Sequence, residues 1–162
     1  MKNKVFRVVL CALLIAALTT VPLAASASKN LVMILKTTVD GARLREGPTA
    51  EFEVVRSLRK GEKVFFSGQT TEHFCLVRTV KGEVGYIYEG YLTSYGNVRH
   101  DMVQYAVDYA RIYANPSSGS SRSGSIEKNE HVLVFRSTGE WSFIRTMDGE
   151  SGYVQTSALA SF

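Results

Sequence analysis

The chain has 162 residues, 45% of them hydrophobic, and a formal net charge of +4. Lys2, Lys4 and Arg7 belong to an N-terminal leader; removing these three of the 19 basic residues leaves 16 against 15 acidic ones, a net charge of about +1. Neither half of the remainder holds the basic excess that phosphate recognition needs, so nucleic acid is excluded as the expected partner.

Residues 1–27 read as a secretory signal peptide. A basic start leads into the unbroken apolar run Val8 to Leu18, and Ala25-Ser26-Ala27 supplies a small-x-small cleavage site. The run is short for a membrane span of about 20 residues. Cleavage would leave an exported chain without a membrane span. Cys11 leaves with the leader, so Cys75 is the one remaining thiol and no internal disulfide can form. Any small domain here must be held by its apolar core alone.

Strands follow in order. Leu31 to Leu35 with Thr37 to Val39 opens the first set. Val64-Phe65-Phe66 comes next, after the turn signal Lys60-Gly61-Glu62. In Phe74-Cys75-Leu76-Val77-Arg78, Phe74, Leu76 and Arg78 share one face, and Cys75 and Val77 the other. Lys81-Gly82 makes a hairpin turn at positive φ, Gly85-Tyr86-Ile87 returns, and Tyr91-Leu92 closes the unit on a short helical turn. Thr93 to Asp101 reads as a brief polar linker. Met102 to Val107 opens a second set, followed by Val132-Leu133-Val134-Phe135 after Lys128-Asn129-Glu130. Trp141 to Arg145, the turn Asp148-Gly149, the strand Gly152-Tyr153-Val154 and the plug Ala158-Leu159 complete it. No window shows helical periodicity over three turns.

The chain thus says the same thing twice. Ala42 to Pro48 returns as Ala110 to Pro116, and Val77 to Ile87 returns as Ile144 to Val154. The offset is 68 and then 67, so a one-residue deletion relates the copies. Such a period suits a small domain better than a solenoid repeat. The expected domains are 30–95 and 100–162.

The motifs in both halves resemble the bacterial SH3-like (SH3b, SH3 type 3) family. Repeat one carries Arg43-Leu44-Arg45-Glu46-Gly47-Pro48-Thr49, then Leu58-Arg59-Lys60-Gly61-Glu62-Lys63-Val64. Phe74-Cys75-Leu76-Val77, Gly82 to Ile87 and Tyr91-Leu92 follow. Repeat two offers Trp141-Ser142-Phe143-Ile144, Gly149 to Val154 and Leu159 in the same order. The resemblance implies an all-β fold of two tandem small SH3-like β-barrels joined by a short linker behind a signal-peptide helix. It also implies a secreted, non-catalytic, wall-associated protein that recognises peptidoglycan peptides. An envelope protein–protein adaptor is the alternative, and a monomer without cofactor is expected in either case.

Departures from the family pattern carry further expectations. Tyr86 and Tyr153 stand where Trp is frequent. Tyr113 replaces the motif's Arg, and Asn115 its Gly, where Asn could hold a positive φ. Phe52, Val54 and Val55 read as buried staples absent from the Ser-rich segment Ser117 to Ser125, which is expected to be a more mobile loop. Gly85 and Gly152 remove a side chain where barrel strands bend.

Cys75 with His73 is the one nucleophile candidate. No orienting third group or oxyanion loop accompanies it, and its counterpart in the second copy is Ser142, so an ordinary strand cysteine is the better reading. His73, His100 and His131 lack metal-ligand spacing and read as surface or turn histidines. No metal and no catalytic residue is expected. The candidate ligand-binding residues are aromatic: Phe74, Tyr86, Tyr88 and Tyr91 in repeat one; Tyr109, Tyr113, Trp141 and Tyr153 in repeat two. Rings with a polar tip suit peptide or glycan contact. For Phe74, Tyr86, Trp141 and Tyr153, filling the barrel is the equal alternative; Tyr88 and Tyr113 are expected to be exposed.

Overall fold

The computed structural model describes residues 30–162; the signal peptide read at 1–27 lies outside them. Among the described residues, fourteen strands form two seven-stranded antiparallel sheets. The first contains β1 (Leu31–Thr37), β2 (Ala42–Arg45), β3 (Val54–Leu58), β4 (Lys63–Thr71), β5 (Phe74–Thr79), β6 (Val84–Tyr88) and β7 (Leu92–Arg99). The second contains β8 (Val103–Ala106), β9 (Ala110–Tyr113), β10 (Arg122–Ile126), β11 (His131–Thr138), β12 (Trp141–Thr146), β13 (Ser151–Gln155) and β14 (Leu159–Ser161). Strand order is β3-β2-β6-β5-β4-β1-β7 in one and β10-β9-β13-β12-β11-β8-β14 in the other, the same topology twice. The fold is all-β, as the alternation requires.

Each unit has its own core. Leu35, Ala42, Leu44, Leu58, Val64, Cys75, Val77 and Ile87 pack together in the first. Ala106, Ile112, Ile126, Val132, Val134, Ile144 and Val154 do so in the second. Leu92 and Leu159 close the two cores, each after a single 3-10 turn. The hairpin glycines Gly82 and Gly149 have φ of 87° and 103°. The turns before β4 and β11 place Gly61 at 86° and Asn129 at 64°, so Asn serves there where its copy has Gly. Gly85 and Gly152 hold the barrel closed. A Cβ at Gly85 would lie 2.6 Å from the Arg45 carbonyl oxygen, and one at Gly152 2.6 Å from that of Tyr113.

Several local expectations need correction. Thr93–Asp101 is no linker: residues through Arg99 belong to β7, which pairs with β1, and one 3-10 turn (His100–Met102) joins the sheets. Thr38 and Val39 lie beyond β1. β3 and β10 fall where no strand was predicted. Each buries only one side chain, Leu58 or Ile126, and so shows no apolar alternation. Residues 122–125 of the Ser-rich segment are therefore strand, and Ala114 N–H donates to the Ser121 carbonyl at 2.9 Å across the turn before it. Phe52, Val54 and Val55 are exposed, Phe52 by 46%, and are not staples. Neither Gly47 nor Asn115 has positive φ. Gly47 is required instead because the Phe52 ring lies over it, 2.5 Å from where a Cβ would stand.

A third apolar cluster joins the units: Val32, Ile34, Phe65, Val103 and Met147, with Val80, Val98, Leu133 and Phe162 at its margin. Its geometry is reciprocal. Val80 and Met147 are copies of one position, as are Phe65 and Leu133, and Tyr95 and Phe162. His131 N–H donates to the Val80 carbonyl at 2.7 Å, and Lys63, the copy of His131, donates its Nζ to the Met147 carbonyl. The same patch of each barrel meets its counterpart, as in a two-fold dimer, but within one chain. Pleating explains the double use of β1: successive residues face opposite sides, so Ile34 meets this interface and Leu35 the barrel core, and the pairing with β7 shifts between them at Tyr95.

Charge separates the copies. Arg56 donates Nε to Glu83 at 2.6 Å and pairs with Glu62. Gly124 replaces Arg56 in the second barrel, and Glu150 fills its space. Glu62 and its copy Glu130 both accept an amide three residues back. Burial raises the carboxyl pKa at both sites. At Glu62 the Arg56 guanidinium and Arg59 amide outweigh it and bring the value below the ordinary 4.5. At Glu130 burial prevails and the value rises.

Two predictions follow from the interface and these carboxyls. Phe65→Ala should cost about 3 kcal/mol and split one thermal transition into two, read by calorimetry; a single unshifted transition would show that the junction contributes nothing. Glu62→Gln should cost about 1 kcal/mol at pH 7. That contribution is present above the unfolded value and fades as pH falls through the depressed folded one. Glu130 ionisation works the other way, weakening the fold as pH rises through its raised value, so Glu130→Gln should be neutral or stabilising at pH 7. Urea denaturation at pH 7 and about pH 3.5 compares the two variants.

Candidate functional site

The outward face of β5 carries Phe74, Leu76 and Arg78, and that of β6 carries Val84, Tyr86 and Tyr88. The adjacent β2 presents Arg43 and Arg45. Pleating puts these side chains opposite the core, and Tyr91 joins them from the 3-10 turn after β6. Together, Gly41, Arg43, Arg45, Ala50, Phe74, Tyr88 and Tyr91 line an open groove of about 650 Å³. Its rings meet edge to face. Phe74 and Tyr88 centroids are 5.9 Å apart, and Tyr88 and Tyr91 5.3 Å. Gly90 makes room for Tyr88, whose ring lies 2.5 Å from where a Cβ would be.

A smaller groove of about 280 Å³ occupies the same place on the second barrel, lined by Tyr109, Ala110, Arg111, Tyr113, Gln155 and Ala158. Tyr109 stands for Gly41, Arg111 for Arg43, Tyr113 for Arg45, Gln155 for Tyr88 and Ala158 for Tyr91. Trp141, the copy of Phe74, packs edge-on to Tyr113 at 5.6 Å. The aromatic character persists while its source moves: β5, β6 and the turn in one barrel, β9 and β12 in the other.

The structure therefore brings Phe74, Tyr88 and Tyr91 together in the first groove and Tyr109 and Tyr113 in the second, while Trp141 packs on Tyr113 without lining it. Tyr86 and Tyr153 face outward but line neither groove. Tyr153 meets Phe143 edge to face at 5.2 Å, and its hydroxyl accepts from Arg136 Nη2 at 3.3 Å. None of the eight lies in a barrel core. Tyr88 is exposed, as expected, whereas Tyr113 is half-buried beneath Trp141.

Sequence reasoning missed the groove arginines. Arg43 is exposed and has no carboxylate partner among the described residues. Arg45 is pinned by Nη1 donation to the Phe52 carbonyl at 2.7 Å. The Arg43-x-Arg45 spacing on a strand was the available signal, because residues two apart share a face.

Cys75 points into the first core, and burial pushes its thiol pKa up despite a 3.8 Å contact with the Thr70 hydroxyl. His73 does not share its strand. It sits in the turn at φ 69°, exposed, 2.8 Å from a Glu89 carboxylate oxygen. A buried thiol kept protonated is a poor nucleophile. His131 is no surface residue: it is 4% exposed and wedged in the junction. Among the described residues, no three His, Cys, Asp or Glu side chains gather to hold a metal ion, and no helix is long and apolar enough to cross a membrane.

Comparison with known proteins adds a family. The family model described as Bacterial SH3 domain matches residues 40–93. No curated protein matches the chain significantly. Among solved structures, NlpC2 from Trichomonas vaginalis is 18% identical with a TM-score of 0.36; the match covers 81% of this chain and 48% of that one. NlpC1 from Trichomonas vaginalis is 20% identical with a TM-score of 0.36, covering 81% and 46%. This chain spans about half the length of either protein. The matched segment runs from the turn before β2 into β7 and carries the first groove, so the likeness to the bacterial SH3 domain family falls on the first unit, at residues 40–93.

Proposed function

We propose that the chain is a secreted, non-catalytic binding protein of the bacterial envelope, built of two SH3-like domains at about 30–95 and 100–162. Its two grooves hold peptide segments of the cell-wall peptidoglycan. The observation that carries this reading is the recurrence of one groove at the same strands of both barrels, each pairing aromatic faces with an arginine, Arg43 or Arg111. Rings supply apolar contact to a peptide backbone, and a guanidinium can take a carboxylate in bidentate fashion. Two weak sites on one body gain affinity because the second binds at a high effective concentration.

The junction refines that last point. A shared apolar cluster fixes one groove relative to the other, so spacing along the ligand is selected by geometry and not by a flexible tether. Tyr86 and Tyr153 extend the aromatic surface beside the grooves and are secondary contacts in this reading.

Retention on purified sacculi tests the proposal. Tyr88→Ala or Trp141→Ala alone should lower retention about tenfold, and the double variant should abolish it. A wild-type protein that washes through would defeat wall binding. Retention that muropeptides fail to compete away would favour an envelope protein partner. The non-catalytic reading has its own check: Cys75→Ala should leave retention unchanged, and hydrolysis of muropeptides by the wild type that this variant loses would reverse it.

A further inference from the structure

Two cavities lie at the barrel junction, and five of their lining positions correspond. The larger, about 500 Å³, is lined by Arg78, Lys81 and Gly82 from the first barrel with His100, Tyr105, Asn129, His131 and Phe162 from the second unit. The smaller, about 370 Å³, presents Arg145, Asp148 and Gly149 from the second barrel to Lys63 and Tyr95 from the first. Arg145 is the copy of Arg78, Asp148 of Lys81, Gly149 of Gly82, Lys63 of His131 and Tyr95 of Phe162. The reciprocal packing of the barrels places these five positions at both cavities, while the remaining lining residues differ.

The two differ in how their charge is balanced. In the smaller cavity, Asp148 supplies an anion, and Lys63 is occupied: its Nζ donates to the Met147 carbonyl and lies 4.8 Å from the Tyr95 centroid. The larger cavity has Lys81 in place of that aspartate and no carboxylate side chain in its wall. Among the described residues, Arg78, Lys81, His100 and His131 form no ion pair with a carboxylate. Lys81 feels the fields of Glu62 and Glu130, which lie outside the wall. Arg78 is held over the Phe162 ring at 5.6 Å and reaches only the Gly82 carbonyl, at 3.4 Å, leaving guanidinium N–H groups unused.

The wall is also apolar in the right place. His131 and His100 rings both lie 5.3 Å from Phe162, and Tyr105 lies 5.7 Å from His131. His131 Nδ1 is tied to the Val80 carbonyl at 3.1 Å, which fixes the ring. An aromatic floor with two cations at its edge, neither in an ion pair among the described residues, in a volume typical of small-molecule sites, defines a ligand chemistry.

We propose that the larger junction cavity binds a small organic anion. Its head sits at Arg78 and Lys81, and its planar apolar body lies against Phe162 and Tyr105. The site exists only where the two barrels meet and is separate from the two grooves. Because the ligand would touch both barrels, it would also tighten their docking.

Benzoate is a suitable probe, with acetate carrying the head alone and benzyl alcohol the body alone. In amide NMR titrations of the purified protein at low ionic strength, benzoate should saturate shifts at Lys81, Gly82 and His131. Acetate and benzyl alcohol should bind at least about tenfold more weakly. Lys81→Asp places in this turn the residue that the second barrel already uses; it also removes a cation that favours ionised Glu62 and Glu130, so the thermal midpoint should fall somewhat while the folded variant binds benzoate at least about tenfold more weakly. Phe162→Ala should weaken benzoate more than acetate. Absence of saturable benzoate binding would overturn the proposal. So would equal binding of benzyl alcohol, or undiminished benzoate binding to Lys81→Asp.

Discussion

The constraint on which this structure depends is that β4 and β11 are apolar on both faces. Val64 faces one barrel core while Phe65 faces away from it; Val132 and Leu133 do the same in the copy. A lone small barrel would leave Phe65, Ile34 and Val103 in water. Burying Phe65, which is 1% exposed, is worth about 2–3 kcal/mol by area alone, a large share of the stability of a domain this small. The second barrel supplies the cover, so neither unit is completed by its own core. With one buried free thiol and no disulfide among the described residues, apolar contact must serve where other small domains use cross-links.

Once the junction is understood as a self-complementary surface, other features fall into place. A short connection suffices because β7 ends at Arg99 and β8 starts at Val103, with a single turn between them. The β5–β6 turn of one barrel must reach the start of β11 in the other, which explains why Gly82 lies against Asn129 and His131. Reciprocity also requires two junction cavities rather than one. The grooves form on β2, β5 and β6, and on their copies, among the strands that the interface cluster leaves uncovered.

Much of this was legible in the residues, and the gaps have physical reasons. The repeat, the hairpins at Gly82 and Gly149, the alternation of β5 and β12, and the clearance at Gly85 and Gly152 all leave a direct mark on sequence. β3 and β10 do not: an edge strand that buries one side chain has no period to detect. The junction did leave a mark. Unbroken runs such as Val64-Phe65-Phe66 signal a strand covered on both sides, but a run alone does not say whether the second cover is the same barrel or another. Phe52 was misread for a related reason. Its ring covers Gly47 from outside, so an apolar residue in a loop marked contact with backbone and not burial. The groove aromatics were found by residue type, whereas Arg43 and Arg45 became visible only when β2 was placed beside β6.

The two barrels differ least where they must fold and most where they face outward. Core positions exchange one aliphatic for another, as with Leu44 and Ile112 or Ile87 and Val154. Outward positions exchange chemistry: Arg45 for Tyr113, Tyr88 for Gln155, Arg56 for Gly124, Lys81 for Asp148. Each exchange alters charge or hydrogen bonding without touching the backbone geometry that the glycines and bulges secure. Asymmetry of this kind gives two copies of one scaffold distinct surfaces while a common junction holds them in register. A cation in one cavity at the position where the other has an anion is the sharpest case, because five lining positions, this one included, correspond between the two walls.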